Sequence, residues 1–122
     1  MSDSDQIHAT VQTYFDSMYE SDPAKVHAAF HPDAKITGYM QGELQQMSVA
    51  QFADFVSAQP SAKAAGEPAR LEVVSLDIAG DTAVSRVRDD YLGLTFLDTL
   101  SFLKHNDQWC IYNKLFHVEG PA

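Results

Sequence analysis

The sequence predicts an α+β fold in which three N-terminal helices pack on a strongly curved, mostly antiparallel sheet, in the element order ααββαββββ. Apolar residues recur at helical spacing in three early segments, and they alternate at strand spacing through the second half of the chain. Helices that are segregated from antiparallel strands in this way are typical of α+β folds. A chain of 122 residues fits a single domain, residues 1–122.

Each helix has its own start or stop signal. The first is predicted from about Asp5 to Glu20, because an apolar stripe runs along it. The second begins at Asp22-Pro23, an N-cap followed by proline, and His31-Pro32-Asp33 stops it because a residue before proline avoids the helical region. We expect Val26, Ala29 and Phe30 on its apolar face. The third opens at Ser48–Gln51, which has the form of a capping box.

Two short strands and a four-stranded meander complete the prediction. The short strands, Lys35–Tyr39 and Glu43–Met47, surround a turn at Gln41-Gly42, and an exposed loop over 59–69 precedes the meander. A change of parity at Val74-Ser75 predicts a bulge, and bulged strands would curl the sheet around the helices into a half-open cone with a pocket. The meander strands are Leu71–Ile78, Ala83–Leu92, Thr95–Lys104 and Trp109–Val118.

Composition excludes several classes of function. The net charge is −9 and no basic run occurs, so nucleic acid and anionic membrane surfaces are unfavourable partners. The single cysteine cannot form an internal disulfide. The polar, acidic N-terminus does not resemble a secretory signal, and no apolar run is long enough to span a membrane, so we expect a cytoplasmic protein. No phosphate loop, nucleophile elbow or Cys/His pair motif is present, so we predict neither a cofactor nor a metal.

The stretch TFLDTLSF contains a carboxylate at an apolar position. Strand alternation directs Asp98 to the same side as Phe96, Leu100 and Phe102. Asp98 could line the pocket, or it could be a structural carboxylate hydrogen-bonded to Tyr14 or to another polar group. Tyr14 lies on the apolar stripe of the first helix, where it could face a cavity or be a core tyrosine.

Histidines and one lysine are further candidates. His31 could be a base or a helix-ending residue, and His27 lies four residues earlier, but the proline break argues against a shared metal site. Alternation places His117 with Trp109, Ile111 and Leu115, where it could reach the pocket or its rim. Lys114 falls on the opposite face with Tyr112 and Phe116, where a lysine that extends to solvent is expected. We expect the remaining acidic residues to form a solvated surface.

Further residues are predicted for the pocket and for an interface. Tyr39, Met40 and Met47 could shape the pocket mouth, since methionine adapts to irregular ligands, or they could fill the core. A partly apolar outer face on the third meander strand predicts a homodimer through the sheet. That face comprises Thr95, Leu97, Thr99, Ser101 and Leu103. The predicted ligand-binding residues are Tyr14, Met18, Tyr39, Phe55, Phe96 and Asp98.

The sequence resembles a known superfamily in five segments: Val11–Tyr14, Ala29–Ala34, Gly38–Gly42, Phe96–Lys104 and Trp109–Lys114. It is similar to the NTF2-like superfamily, the α+β cone of nuclear transport factor 2, scytalone dehydratase, SnoaL-type polyketide cyclases and ketosteroid isomerase. Within it, the branch named "putative lumazine-binding" is the most similar. The resemblance covers nearly the whole chain, and it implies the fold more strongly than an activity, because the superfamily hosts many functions.

The isomerase members imply roles for particular residues. Their oxyanion hole, a tyrosine of the first helix and a strand aspartic acid that donates a hydrogen bond, falls by resemblance on Tyr14 and Asp98. Their general base falls on Gly38, and a neighbouring carboxylate position falls on Thr37. The donors are therefore present and the base is missing, although a proton transfer between carbons needs one within reach.

Three functions remain open. The first is a small-molecule binding protein that holds an apolar or aromatic ligand, with Tyr14 and Asp98 as polar anchors. The second is an isomerase, dehydratase or cyclase in which these two residues stabilise an enolate-like oxyanion, with His31, His117 or the substrate as base. The third is a dimerisation or accessory module without a ligand. The first is favoured because Gly38 supplies no carboxylate.

Overall fold

The protein's structure is a computed structural model that describes residues 2–122. Its elements follow the predicted order ααββαββββ. The helices are α1 (Asp3–Tyr19), α2 (Pro23–Ala29) and α3 (Val49–Ser57). The strands are β1 (Phe30–Met40), β2 (Glu43–Ser48), β3 (Leu71–Ala79), β4 (Thr82–Tyr91), β5 (Leu94–His105) and β6 (Gln108–Pro121).

All six strands form one curved sheet in the order β2-β1-β6-β5-β4-β3. Every neighbouring pair is antiparallel except β1 and β6, which are parallel. The helices cover one face, and the core between helices and sheet includes the fully buried Ile7, Val26 and Ile111. The predicted α+β cone is therefore confirmed. Among residues 2–122, no helix combines the length and apolarity needed to cross a membrane.

Local signals set the helix starts, and one boundary differs from the prediction. Ser48 and Gln51 form the expected reciprocal capping box of α3. The side chain of Asp22 caps α2. The assignment of Phe30 to the second helix is wrong, because α2 ends at Ala29 and Phe30 opens β1 opposite Ile111 of β6. β1 begins before Pro32 because Phe30 pairs with β6, and the local sequence does not show that pairing.

Bulges curve the sheet and change which residues face inward. The register of β3 against β4 shifts between Val73 and Ser75, which confirms the predicted bulge. A second shift lies between Thr95 and Phe96; Thr95 itself is buried, and its hydroxyl donates to Asp90 Oδ1 at 2.7 Å. The prediction that Thr95 belongs to the exposed outer face is therefore wrong.

A third irregularity lies in β6 and has the largest consequence. Ser101 pairs with Asn113 and Phe102 pairs with Ile111, so Tyr112 is an extra residue on β6. Trp109 and Ile111 point inward before it, and Lys114 and Phe116 point inward after it. The prediction that these two pairs lie on opposite faces is wrong, because strict alternation does not survive a bulge. Leu115 and His117 consequently face outward and are exposed.

Candidate functional site

A cavity of about 210 Å³ lies between α3, the β1–β2 hairpin and the inner face of the sheet. Gln45 and the partly exposed Phe55 border it on the solvent side. Its walls are almost entirely apolar, which is usual for a small-molecule pocket. They include Ile36, Met40, Met47, Phe52, Phe96 and Phe116.

Lys114 contributes an ammonium group to this apolar cavity. Its side chain rises from β6, and the residue is only 6% exposed. Nζ lies 4.7 Å from the ring centres of both Tyr14 and Phe52, which are cation–π distances. Its one hydrogen-bond contact is the Met18 sulfur, a weak acceptor, at 3.9 Å. The ammonium group of Lys114 is therefore buried against the rings of Tyr14 and Phe52, and none of its three N–H groups has an oxygen acceptor within the described chain.

Tyr14 and Asp98 lie beneath the cavity and are engaged with each other. Both are 0% exposed, and the Tyr14 hydroxyl donates to Asp98 Oδ2 at 2.5 Å. Neither contributes to the cavity lining. Burial, followed by the charges of Asp89 and Asp98, raises the pKa of Tyr14 well above 10, so Tyr14 keeps its proton and acts as the donor. The Tyr14–Asp98 hydrogen bond that the sequence suggested is therefore present, but it lies in the core and not in the cavity wall.

Asp89 is a buried carboxyl group, so the prediction that it belongs to the solvated surface is wrong. It lies on β4, is 1% exposed, and lies close to Asp98. Asp89 Oδ2 and Asp98 Oδ1 are buried without a hydrogen-bond partner in residues 2–122, and a single proton placed between them would satisfy both. Alternation from Val87 would have directed Asp89 inward, by the same argument that was applied to Asp98.

The two carboxyl groups are placed to share one proton. Burial, and next the neighbouring Asp98, raise the pKa of Asp89 well above 3.8, while Lys114 acts in the opposite direction. Two carboxyl groups this close cannot both ionise at low cost. A proton shared by the acid pair would leave one negative charge close to the ammonium group of Lys114.

The histidine candidates lie away from the cavity. His31 packs against His105 and Tyr112, with ring centres 5.4 and 5.1 Å apart, and its Nδ1 accepts from the Asp33 amide at 3.1 Å. His117 is exposed on the outer face of β6. Neither lines the cavity. Across residues 2–122, no three His, Cys, Asp or Glu side chains converge to hold a metal ion.

The remaining ligand-binding candidates divide between the cavity, the core and the surface. Phe55 and Phe96 line the cavity. Met18 is buried and touches Lys114 from the core side. Tyr39 is 66% exposed and is not part of the lining.

Gly38, the position of the base by resemblance, has a packing reason to be glycine. A Cβ there would lie 2.5 Å from the backbone oxygen of Phe116 and 2.6 Å from its Cδ1. Such distances are far inside van der Waals contact, so any side chain would force β1 away from β6. Thr37 alternates with the cavity-lining Ile36 along β1, so it faces the other side of the strand.

Known proteins with the same architecture have related sequences. The family model described as "putative lumazine-binding" matches residues 2–117. An NTF2-like protein of unknown function from Silicibacter pomeroyi has a TM-score of 0.89 and 26% identity, covering 98% of this chain and 100% of that one. Another, from Methylobacillus flagellatus, has a TM-score of 0.86 and 28% identity, covering 97% and 93%.

One curated relative is an enzyme by name. The aldolase FrzH of Cladobotryum sp. is 27% identical over 116 residues, which span 95% of this chain and 91% of that protein. The match to the family model extends over almost the entire sequence, and the structural neighbours share the same cone. This chain therefore belongs to the family described as "putative lumazine-binding", within the NTF2-like superfamily.

Proposed function

We propose that this protein binds a small apolar or aromatic molecule in the cavity between α3 and the sheet. The observation that supports this most directly is the unfilled apolar space of about 210 Å³. Protein interiors are normally packed as densely as organic crystals, so a cavity of this size is a feature to be explained. Rings from Phe52, Phe96 and Phe116 surround it, and they would contact an aromatic ligand by stacking or edge-to-face packing.

Ethylbenzene is a suitable probe because it is apolar, aromatic and small. At 100 times its dissociation constant, a ligand specific for the folded state stabilises it by about 2.7 kcal/mol. We expect that stabilisation to raise the Tm of the wild-type protein by roughly 10 °C. A Gln45→Trp variant should lose the shift, because residue 45 borders the cavity and the indole would fill it. Differential scanning calorimetry with and without ethylbenzene measures the effect.

Gln46→Trp is the matched control. Gln46 is the next residue of β2 and, like Gln45, is exposed, but it points to the opposite side of the strand. This variant should keep the full wild-type shift. An absent shift in the wild-type protein, or an equal shift in both tryptophan variants, would contradict binding in this cavity.

A second candidate function is catalysis on a carbonyl compound, and the similarity to the aldolase FrzH favours it. In the form expected from the isomerase resemblance, Tyr14 and Asp98 would stabilise an enolate-like oxyanion. Tyr14 donates to Asp98, and His31 and His117 lie outside the cavity, so a base would have to come from the buried acid pair or from the substrate. Deuterium incorporation at the methyl group of acetophenone in D₂O tests this candidate. A wild-type rate no faster than that of Asp98→Asn would oppose it.

Association through the outer face of the sheet belongs to the same proposal. Val84 and Leu115 are 41% and 54% exposed on that face, which is unfavourable for aliphatic side chains in water. Their exposure supports the homodimer that the sequence predicts. The accessory-module alternative would use this face alone and would leave the cavity without a ligand.

A further inference from the structure

The cavity wall contains polar atoms whose hydrogen-bonding capacity is not used by the described protein. Lys114 Nζ has only the Met18 sulfur as an acceptor, and the lysine is more than nine-tenths buried. Tyr91 lines the same cavity, and its hydroxyl is buried and has no partner in residues 2–122. Burial raises the pKa of Tyr91 to about 12, so it too remains a donor. A ligand oxygen is the group that would satisfy such donors.

Tyr14 and Asp98 are less suited to this task. The Tyr14 hydroxyl already donates to Asp98 Oδ2, and the other side of the Asp98 carboxyl group lies close to Asp89, with which it can share a proton. Their polar atoms satisfy one another, and neither residue lines the cavity. Recruiting them to a ligand would break a buried hydrogen bond, whereas a contact with Lys114 breaks only a weak contact with sulfur.

Charge balance limits the ligand further. The ammonium group of Lys114 already acts electrostatically on Asp89 of the buried acid pair. A carboxylate ligand would add a buried negative charge near that pair, in a chain that already has a net charge of −9. A neutral oxygen acceptor instead gains a charge-assisted hydrogen bond without adding a charge. Among neutral acceptors, a carbonyl oxygen accepts without needing a partner for a proton of its own.

We propose that Lys114 is the polar anchor of the cavity and that the ligand is a neutral aromatic or apolar carbonyl compound whose oxygen accepts a hydrogen bond from Lys114 Nζ. This inference rests on the proposed binding function and specifies its ligand class. In this proposal the ligand contacts Lys114 and does not contact the Tyr14–Asp98 pair. Tyr14 remains hydrogen-bonded to Asp98, and its ring packs against Lys114 Nζ. The rings of Phe52 and Phe116 would hold the apolar body of the ligand.

Three probes of similar size test the proposal: acetophenone, ethylbenzene and benzoate. Titration calorimetry on the wild-type protein should give an affinity for acetophenone about tenfold higher than for ethylbenzene, as expected for one charge-assisted hydrogen bond. Benzoate should bind more weakly than acetophenone. Equal affinities for acetophenone and ethylbenzene, or tightest binding of benzoate, would overturn the carbonyl assignment while leaving the binding function intact. Failure of all three probes to bind would instead remove the binding function.

Substitution assigns the effect to one side chain. Lys114→Met keeps the length and apolar bulk of the side chain and removes the donors, so it should bind ethylbenzene and lose the preference for acetophenone. Lys104→Met is the matched control, because Lys104 lies on β5 and contacts Asp3 instead of the cavity. A preference that persists in Lys114→Met would overturn the role of Lys114.

Two further measurements keep the test decisive if Lys114→Met does not fold. The double variant Lys114→Met/Asp98→Asn removes the positive and the negative charge together, so it restores the charge balance of the interior. Infrared spectroscopy of carbonyl-¹³C acetophenone on the wild-type protein reports the hydrogen bond directly. We expect the carbonyl stretch to move to lower frequency than in an aprotic solvent, and an unshifted band would overturn the contact.

Discussion

Asp89→Asn is expected to stabilise the protein at neutral pH, by an amount that grows as the pH rises. In the unfolded chain Asp89 is an ordinary carboxyl group that ionises near pH 4. In the fold its pKa is raised well above that value, by burial first and by Asp98 second. Folding therefore takes up a proton between these two pKa values. The stability that protonated Asp89 contributes is complete below the unfolded pKa and is lost as the pH rises toward the folded pKa.

Asparagine removes this dependence because it is neutral at every pH and its amide can still donate to Asp98. The free energy of unfolding of Asp89→Asn should exceed that of the wild-type protein above pH 4. The difference should grow by up to about 1.4 kcal/mol per pH unit, the value for one proton. Urea unfolding at half-unit steps from pH 4 to pH 8 measures it.

Asp77→Asn provides the comparison for this experiment. Asp77 is an exposed aspartate on β3, so its substitution makes the same chemical change without a buried partner. The difference between Asp77→Asn and wild type should be small and nearly independent of pH. If Asp89→Asn behaves in the same way as Asp77→Asn, the acid pair does not hold a shared proton.

The Tyr14–Asp98 hydrogen bond is expected to give the second large effect. Tyr14→Phe leaves Asp98 Oδ2 buried without its donor, and leaving a charged acceptor unsatisfied costs about 3 kcal/mol. Tyr39→Phe, which removes a hydroxyl from a tyrosine that is 66% exposed, should cost little. Guanidinium unfolding of both variants measures the difference.

A double-mutant cycle separates the hydrogen bond from the other effects of these substitutions. The variants are Tyr14→Phe, Asp98→Asn and the combination of the two. Since both residues are fully buried and in direct contact, we expect a coupling energy of about 1–3 kcal/mol. Additive losses would indicate that the hydroxyl and the carboxyl group contribute to stability independently.

Local patterns in the sequence determined much of the fold. The capping box at Ser48–Gln51 and the Asp22-Pro23 start are short-range signals, and both mark helix starts in the structure. Alternation along β5 directed Asp98 inward, and its complete burial confirms that orientation. The family resemblance, confirmed by the family model, supplied the connection between the helices and the curved sheet.

The candidate site could be predicted only in part. Phe55 and Phe96 line the cavity, as the sequence suggested. Strand alternation predicts that Lys114 extends to solvent, whereas it faces the cavity. The prediction for Asp89 is a surface position, whereas it is buried. Both errors concern charged residues, which the usual hydrophobic pattern assigns to solvent. Applying alternation to β4 as strictly as to β5 would have found Asp89.

Sequence by itself determined where α2 and α3 begin, and that Asp98 of β5 faces the core, because these properties depend on neighbours a few positions away. The tertiary structure decided that Lys114 faces the cavity, because the bulge at Tyr112 exists only through the pairing of β6 with β5. It also decided that Asp89 and Asp98 form a buried acid pair, because β4 and β5 bring them together away from water. Pairing register and burial depend on contacts distant in sequence, which a one-dimensional pattern does not contain.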